Sequence, residues 1–187
     1  MVRQLLFIQG GGACVHDEWD DKLVESLRDS LGPDWDVRYP RMPSEENPGY
    51  AAWKPAILGE IAGLEDGAIV VSHSVSAPIL VNALAECPPD KPLGALILVS
   101  PPFVGEGGWP GEEYATPADL GARLPKDVPV HVFQGDADDT VPPAHADLYA
   151  RAIPQASIHR LSGRDHQLNN DLQEVGNLIK RMSRPSS

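Results

Sequence analysis

The sequence predicts an α/β fold: a parallel sheet of about six strands with helices covering both faces. Three observations carry this. Short apolar runs of strand length alternate with longer stretches whose apolar residues recur every three or four positions. The clearest strand, Ala68-Ile69-Val70-Val71, is apolar at every position and rich in β-branched residues, the pattern of a strand buried on both faces. The 187 residues form the length of one domain, 1–187, long enough to bury about 70% of the surface of its unfolded chain.

The elements follow in order. Leu5-Leu6-Phe7-Ile8 is a buried strand that runs into Gly10-Gly11-Gly12, a tight loop. Trp19, Leu23, Leu27 and Leu31 recur at helical spacing, and Gly32-Pro33 stops that helix. Val37 to Tyr39 is a short strand, and Pro40 to Gly49 a loop rich in Pro and Glu. Ala52 to Leu64 is helical on the spacing of Ile57, Ile61 and Leu64; the strand Ala68 to Val71 and a helix over Pro78 to Glu86 come next. The alternation then repeats. Strand Ala95 to Val99 leads to a Pro- and Gly-rich segment, Pro101 to Pro117, a short helix around Leu120, and strand Val130 to Phe133. Helix Ala144 to Ile153, strand Ser157 to Leu161 and helix Leu172 to Met182 close the chain, and the tail Ser183 to Ser187 is expected to fray.

Composition narrows the function. Hydrophobic residues at 42% and charged ones at 22% are those of an ordinary globular protein, not a disordered or collagen-like chain. Fifteen Lys and Arg against 27 Asp and Glu give a net charge of −12, which repels phosphate backbones and anionic headgroups, so neither nucleic acid nor membrane is an expected partner. Leu5 to Ile8 is too short for a signal-peptide core and no later run approaches a spanning helix; the expectation is a cytoplasmic protein. Cys14 and Cys87 match no disulfide framework or metal spacing and are expected to be packed thiols. The oligomeric state is not readable from the sequence.

A parallel sheet gathers its chemistry at the carboxyl ends of its strands. Ser72-His73-Ser74-Val75-Ser76-Ala77 follows the central strand and precedes a helix, and a Ser set between small residues at such a turn has the layout of a nucleophile elbow. Gly135-Asp136-Ala137-Asp138-Asp139 offers three carboxylates able to orient an imidazole. Thr140 and Val141 stand where a calcium loop needs other residues, so no metal is expected there. His166 lies on the loop before the closing helix. The fourth strand end, Gln9 to Ala13, could aim backbone N–H groups at an oxyanion, with Val75 as the second donor. As a nucleotide loop it fails, since Val15 occupies the place of the third glycine and no Gly-Lys-Ser/Thr follows. His16, Asp17 and Glu18 in the first loop read as a solvated helix start rather than a metal site.

With these residues in place, the chain from Leu5 to Met182 resembles a short α/β-hydrolase of the serine hydrolase group, without the amino-terminal strands and lid of larger relatives. The order nucleophile, acid, base is that fold's order. The family elbow Gly-His-Ser-x-Gly matches His73-Ser74 and differs at Ser72 and Ser76; the acid loop Gly-x-x-Asp-x-x-Val-Pro matches Gly135, Asp138, Val141 and Pro142, which favours Asp138 over Asp139 and Asp136. The base, which usually follows glycine, follows Asp165 here.

The resemblance implies a serine esterase in which Ser74 attacks an acyl carbonyl, His166 moves the proton, Asp138 orients the imidazole, and the N–H groups of Gly11 and Val75 hold the oxyanion, with no cofactor and no metal. Phe103, Trp109 and Tyr114 of the Pro101 to Pro117 segment are candidate pocket walls; that segment is too short for a helical lid, so the expected substrate is a small or short-chain carboxylic ester. The alternative is a binding protein that kept a hydrolase scaffold after losing the elbow glycines.

Overall fold

A computed structural model describes residues 2–183. The six strands are β1 (Arg3–Ile8), β2 (Trp35–Arg38), β3 (Ile69–His73), β4 (Ala95–Val99), β5 (Val130–Gly135) and β6 (Ser157–Leu161), in one sheet of order β2-β1-β3-β4-β5-β6 with every pairing parallel. The bounds read for β4 and β6 coincide with the observed ones, while β1, β2, β3 and β5 each extend beyond or shift from the apolar run that announced them.

The helices are α1 (Asp20–Leu31), α2 (Tyr50–Ala62), α3 (Ser76–Glu86), α4 (Leu120–Arg123), α5 (His145–Ala152) and α6 (Gln173–Met182). Strand side chains alternate between two cores, as the two-residue period of a strand demands. Leu6, Ile8, Val70, Leu96 and Leu98 pack with residues of α2, α3, α4 and α5, including Trp53, Leu80 and Tyr149. Leu5, Phe7, Val71, Ile97 and Val99 pack with α1 and α6 through Leu23, Leu27, Val175 and Ile179. Each central strand is thus apolar on both faces because each face meets helices.

One detail of α1 departs from the expected stripe. Trp19 ends a π-helical turn, Val15–Trp19, and is 51% exposed, whereas Asp20 is fully buried on the face shared with Leu23, Leu27 and Leu31. The stripe begins one residue later than the apolar pattern indicated, with a carboxylate at its head. The two cysteines are also corrected: Cys14 and Cys87 are exposed, Cys14 immediately before the π-helical turn and Cys87 immediately past the end of α3. No helix among the described residues is long and apolar enough to cross a membrane. Of the tail expected to fray, residues 184–187 lie outside the described residues.

From β1 the chain moves outward to β2 and then returns to place β3 on the other side of β1. A reversal of this kind opens a crevice at the strands' carboxyl ends. The Gly10-Gly11-Gly12 loop follows β1 and Ser74 follows β3, so both border that crevice.

Candidate active site

The sharp turn after β3 puts Ser74 at φ 55, a left-handed conformation that side chains rarely adopt and that is kept only where surroundings enforce it. Here its N–H donates to the Val99 carbonyl of β4 at 2.9 Å and its carbonyl accepts from Ala77 N–H at 3.0 Å. The flanking serines fit because both are buried in small spaces. Ser76 Oγ lies 2.9 Å from the His73 carbonyl and 3.2 Å from that of Ile8, pinning the elbow to β1, while buried Ser72 Oγ has no partner among the described residues. Gly10 lets the first loop approach the elbow, since a Cβ there would lie 3.1 Å from His73 Nδ1 and 3.3 Å from Ser74 Cβ.

Three residues that are 64 and 28 positions apart along the chain meet at this turn: Ser74, Asp138 and His166. His166 Nε2 is 2.9 Å from Ser74 Oγ, and His166 Nδ1 is 2.9 Å from Asp138 Oδ2. Asp138 Oδ2 also accepts from Gln134 Nε2 at 2.9 Å, and Oδ1 accepts from the N–H groups of Thr140 and Val141 at 2.9 and 2.8 Å. Burial pushes this carboxyl's pKa up, but the bonds from His166 and Val141 outweigh it and hold the group below the usual carboxylate range. An ionised Asp138 fixes the proton of neutral His166 on Nδ1, leaving Nε2 as an acceptor for the Ser74 hydroxyl. Asp136 instead accepts from Ser162 Oγ and Gly163 N–H, and Asp139 is exposed, so neither of the competing acids meets the imidazole. Gly135 has no room for a side chain because the Arg164 carbonyl presses on it, which brings the acid and base loops together.

In the first loop, Gly10 N–H donates to Asp20 Oδ2 at 2.7 Å and Gly12 N–H to the Glu45 carbonyl at 2.6 Å. Gly11 N–H and Val75 N–H have no acceptor among the described residues. The two are neighbours: a Cβ on Gly11 would lie 2.9 Å from Val75 Cγ1 and 2.5 Å from Pro48 Cγ. Gln9 and Glu45 stiffen this arrangement, Gln9 Nε2 donating to Glu45 Oε2 at 2.6 Å and Gln9 Oε1 accepting from Met42 N–H at 2.8 Å.

Phe103 and Trp109 turn toward α5. Phe103 is buried edge-on to Tyr149 at 5.2 Å between centroids, and its N–H donates to His145 Nδ1; half-buried Trp109 stands edge-on to His145 at 5.9 Å. The hollow that Phe103 lines, about 420 Å³, is bounded by Glu106, Leu148 and Arg151 and not by Ser74 or His166. Phe103 is therefore a core residue. Tyr114 stacks on Tyr50 at 4.5 Å, and Glu113 accepts from Ala51 N–H at 3.1 Å, which straps the segment across the start of α2. His16 hydrogen-bonds Asp17 and stacks on Tyr39, and Asp17 pairs with Arg41. No group of three or more candidate metal ligands occurs among the described residues.

Sequence reasoning missed one feature. His73, beside Ser74 in sequence, directs Nδ1 at Asp20 Oδ2 at 3.0 Å and Nε2 at the His166 carbonyl oxygen at 3.2 Å, with His73 and Asp20 both buried. The available signal was an acid three, seven and eleven residues ahead of Leu23, Leu27 and Leu31, on the buried stripe.

The sheet order, the helices on both faces and the elbow are those of an α/β-hydrolase without a large lid. The chain belongs to the serine hydrolase family, whose model matches residues 10–173. No curated protein sequence matches it. Among solved structures it is similar to the ydeN gene product of B. subtilis, with 19% identity, 96% of this chain and 98% of that chain covered, and a TM-score of 0.71. It is also similar to CarC, a serine hydrolase involved in carbazole degradation, with 12% identity, coverage of 96% and 90%, and a TM-score of 0.73. A third, Est1E from Butyrivibrio proteoclasticus with ferulic acid bound, has 16% identity, coverage of 96% and 87%, and a TM-score of 0.67.

Proposed function

We propose that the protein hydrolyses small, short-chain carboxylic esters through an acyl-enzyme on Ser74. The observation that carries this is the continuous hydrogen-bond line from Asp138 Oδ2 through the His166 ring to Ser74 Oγ, 2.9 Å at each step.

Ser74 Oγ attacks the ester carbonyl carbon as its proton passes to His166 Nε2. The oxyanion is taken by Gly11 and Val75 N–H, and one such donor is typically worth about 2.7–4 kcal/mol. Collapse of the intermediate breaks the bond to the alcohol, which leaves with the proton from Nε2. Water then repeats the sequence: it gives a proton to Nε2, adds to the acyl carbon and releases the acid, and Ser74 recovers its proton. Asp138 holds Nδ1–H throughout and stabilises the imidazolium without becoming protonated. Water is the only co-reactant.

A short acyl group fits the absence of any helix between residues 100 and 119, where the strap held by Glu113 and Tyr114 gives little to wrap a long chain. Nitrophenyl esters from acetate to palmitate test the reading. Turnover should be greatest for the shortest acyl chains and fall along the series, and Ser74→Ala should abolish it. Preference for the longest chains would overturn the substrate class, and undiminished turnover by Ser74→Ala would overturn the mechanism.

A further inference from the structure

Asp20 is a fully buried carboxylate that touches all three loops bordering the proposed reaction site. Its Oδ2 accepts from Gly10 N–H of the oxyanion loop at 2.7 Å and from His73 Nδ1 of the elbow at 3.0 Å; its Oδ1 accepts from Gln167 Nε2, next to His166, at 3.3 Å. His73 completes the circuit, its Nε2 donating to the His166 carbonyl at 3.2 Å. With both ring nitrogens facing acceptors, His73 can satisfy both only when both carry protons, that is, as the imidazolium. The His73 and His166 rings lie 5.1 Å apart between centroids, tilted by 45°.

We propose that Asp20 and His73 form a buried positioning pair that ties the oxyanion loop, the nucleophile elbow and the base loop into one unit, and that fixes a positive charge beside the His166 ring. This rests on the reading of Ser74 and His166 given above. A buried unpaired charge is costly, so the pair persists only while its contacts are complete. Any displacement of one loop is therefore felt by the other two. Burial alone drives the His73 pKa down, but the charge and hydrogen bond of Asp20 and the His166 carbonyl outweigh it and hold the imidazole above its ordinary value. Asp20 is likewise pushed up by burial and held lower by His73 and by Gly10 N–H. The titratable and charged groups facing the pair are Tyr39 against Asp20, and His166 and Asp138 against His73.

Two substitutions separate the tether from the charge. His73→Asn keeps an amide near Nδ1 for Asp20 and loses the reach to the His166 carbonyl; His73→Gln places its amide near Nε2 and keeps that reach; both remove the cation. The His73 ring lies 5.1 Å from the His166 ring, whereas Asp20 bonds Gln167 and not the His166 ring, so loss of the cation is expected to raise the proton affinity of the His166 ring. The experiment follows the His166 ring by NMR against pH in the wild type and both variants, alongside kcat and KM on a short-chain nitrophenyl ester. The expected result is a His166 titration moved to higher pH in both variants. With it, kcat should fall in His73→Asn on the order of 100-fold, as for a displacement of about 1 Å, with KM little changed and kcat partly restored in His73→Gln. An unmoved His166 titration in folded His73→Gln would overturn the proposal, as would equal kcat in wild type and folded His73→Asn. The titration reads the pair even if no ester is turned over, so failure of the hydrolase reading would show separately, as an inactive wild type.

Discussion

Two carboxylate–imidazole pairs stand side by side at the rim of the sheet, and they differ in what lies beyond the imidazole. In Asp138–His166 the far nitrogen meets a hydroxyl, Ser74 Oγ, and the His166 side chain keeps 16% of its exposure. In Asp20–His73 the far nitrogen meets a backbone carbonyl, and the side chains keep 2% and 0%. A hydroxyl can give up a proton and a carbonyl cannot. The first pair is thus equipped to cycle protons with a substrate, and the second to hold charge and geometry constant. On the proposed reading, the same two residue types serve as a reaction centre or a brace according to the third group and the access of water.

Asp20→Ala should break the comparison most sharply, because it strands His73 and the Gly10 N–H in the interior. Removing one partner of a buried pair costs about 3–5 kcal/mol, to be read from denaturant unfolding. A loss below about 1 kcal/mol, the range of a surface pair, would mean that the brace carries no strain-bearing charge. Gly11→Ala comes next: its Cβ has no space against Pro48 and Val75, so the loop must shift, and kcat should fall about 10²–10³-fold, as for loss of one oxyanion donor. Unchanged kcat would remove that amide from the reaction. Ser76→Ala deletes the hydroxyl that pins the elbow to β1 and should cost about 1 kcal/mol by thermal unfolding, a smaller effect because no charge is stranded.

The pairs also predict opposite limbs of the stability profile. Asp20 and Asp138 are held below the ordinary carboxylate value of about 3.9, so their contribution is complete above that pH and is lost as pH falls through the folded values. His73 is held above about 6.5, so its contribution is complete below that pH and is lost as pH rises through its folded value. Melting temperatures taken across pH should therefore decline on both sides. Asp20→Asn should flatten the alkaline limb, since His73 then lacks the anion that keeps it protonated; an alkaline limb unaffected by Asp20→Asn would assign it to other groups.

The fold was legible where burial on both faces made the pattern unambiguous. Ala95–Val99 is apolar throughout and was read to the residue. Strand ends such as Ser72-His73 and Gln134-Gly135 were truncated, because polar residues that serve the site end the apolar run before the ladder ends. Ser74 and His166 could be picked out by order, since each follows a strand; among Asp136, Asp138 and Asp139 the order left the choice open, and the resemblance to the family's acid loop favoured Asp138. Asp20 could not: an acid at the start of a helix ordinarily reads as a solvated charge favoured by the helix dipole, and neighbouring Trp19 claimed the apolar stripe. Phe103 and Trp109 were placed by their segment alone, and the pull of α5 on their rings has no signature in sequence.

The account stands most directly on Ser74 as a nucleophile. Folded protein treated with a fluorophosphonate and digested for mass spectrometry should carry a single phosphonyl group on the peptide containing Ser74, and the Ser74→Ala protein should carry none. A folded wild type left unmodified, or labelled elsewhere with Ser74 intact, would contradict it.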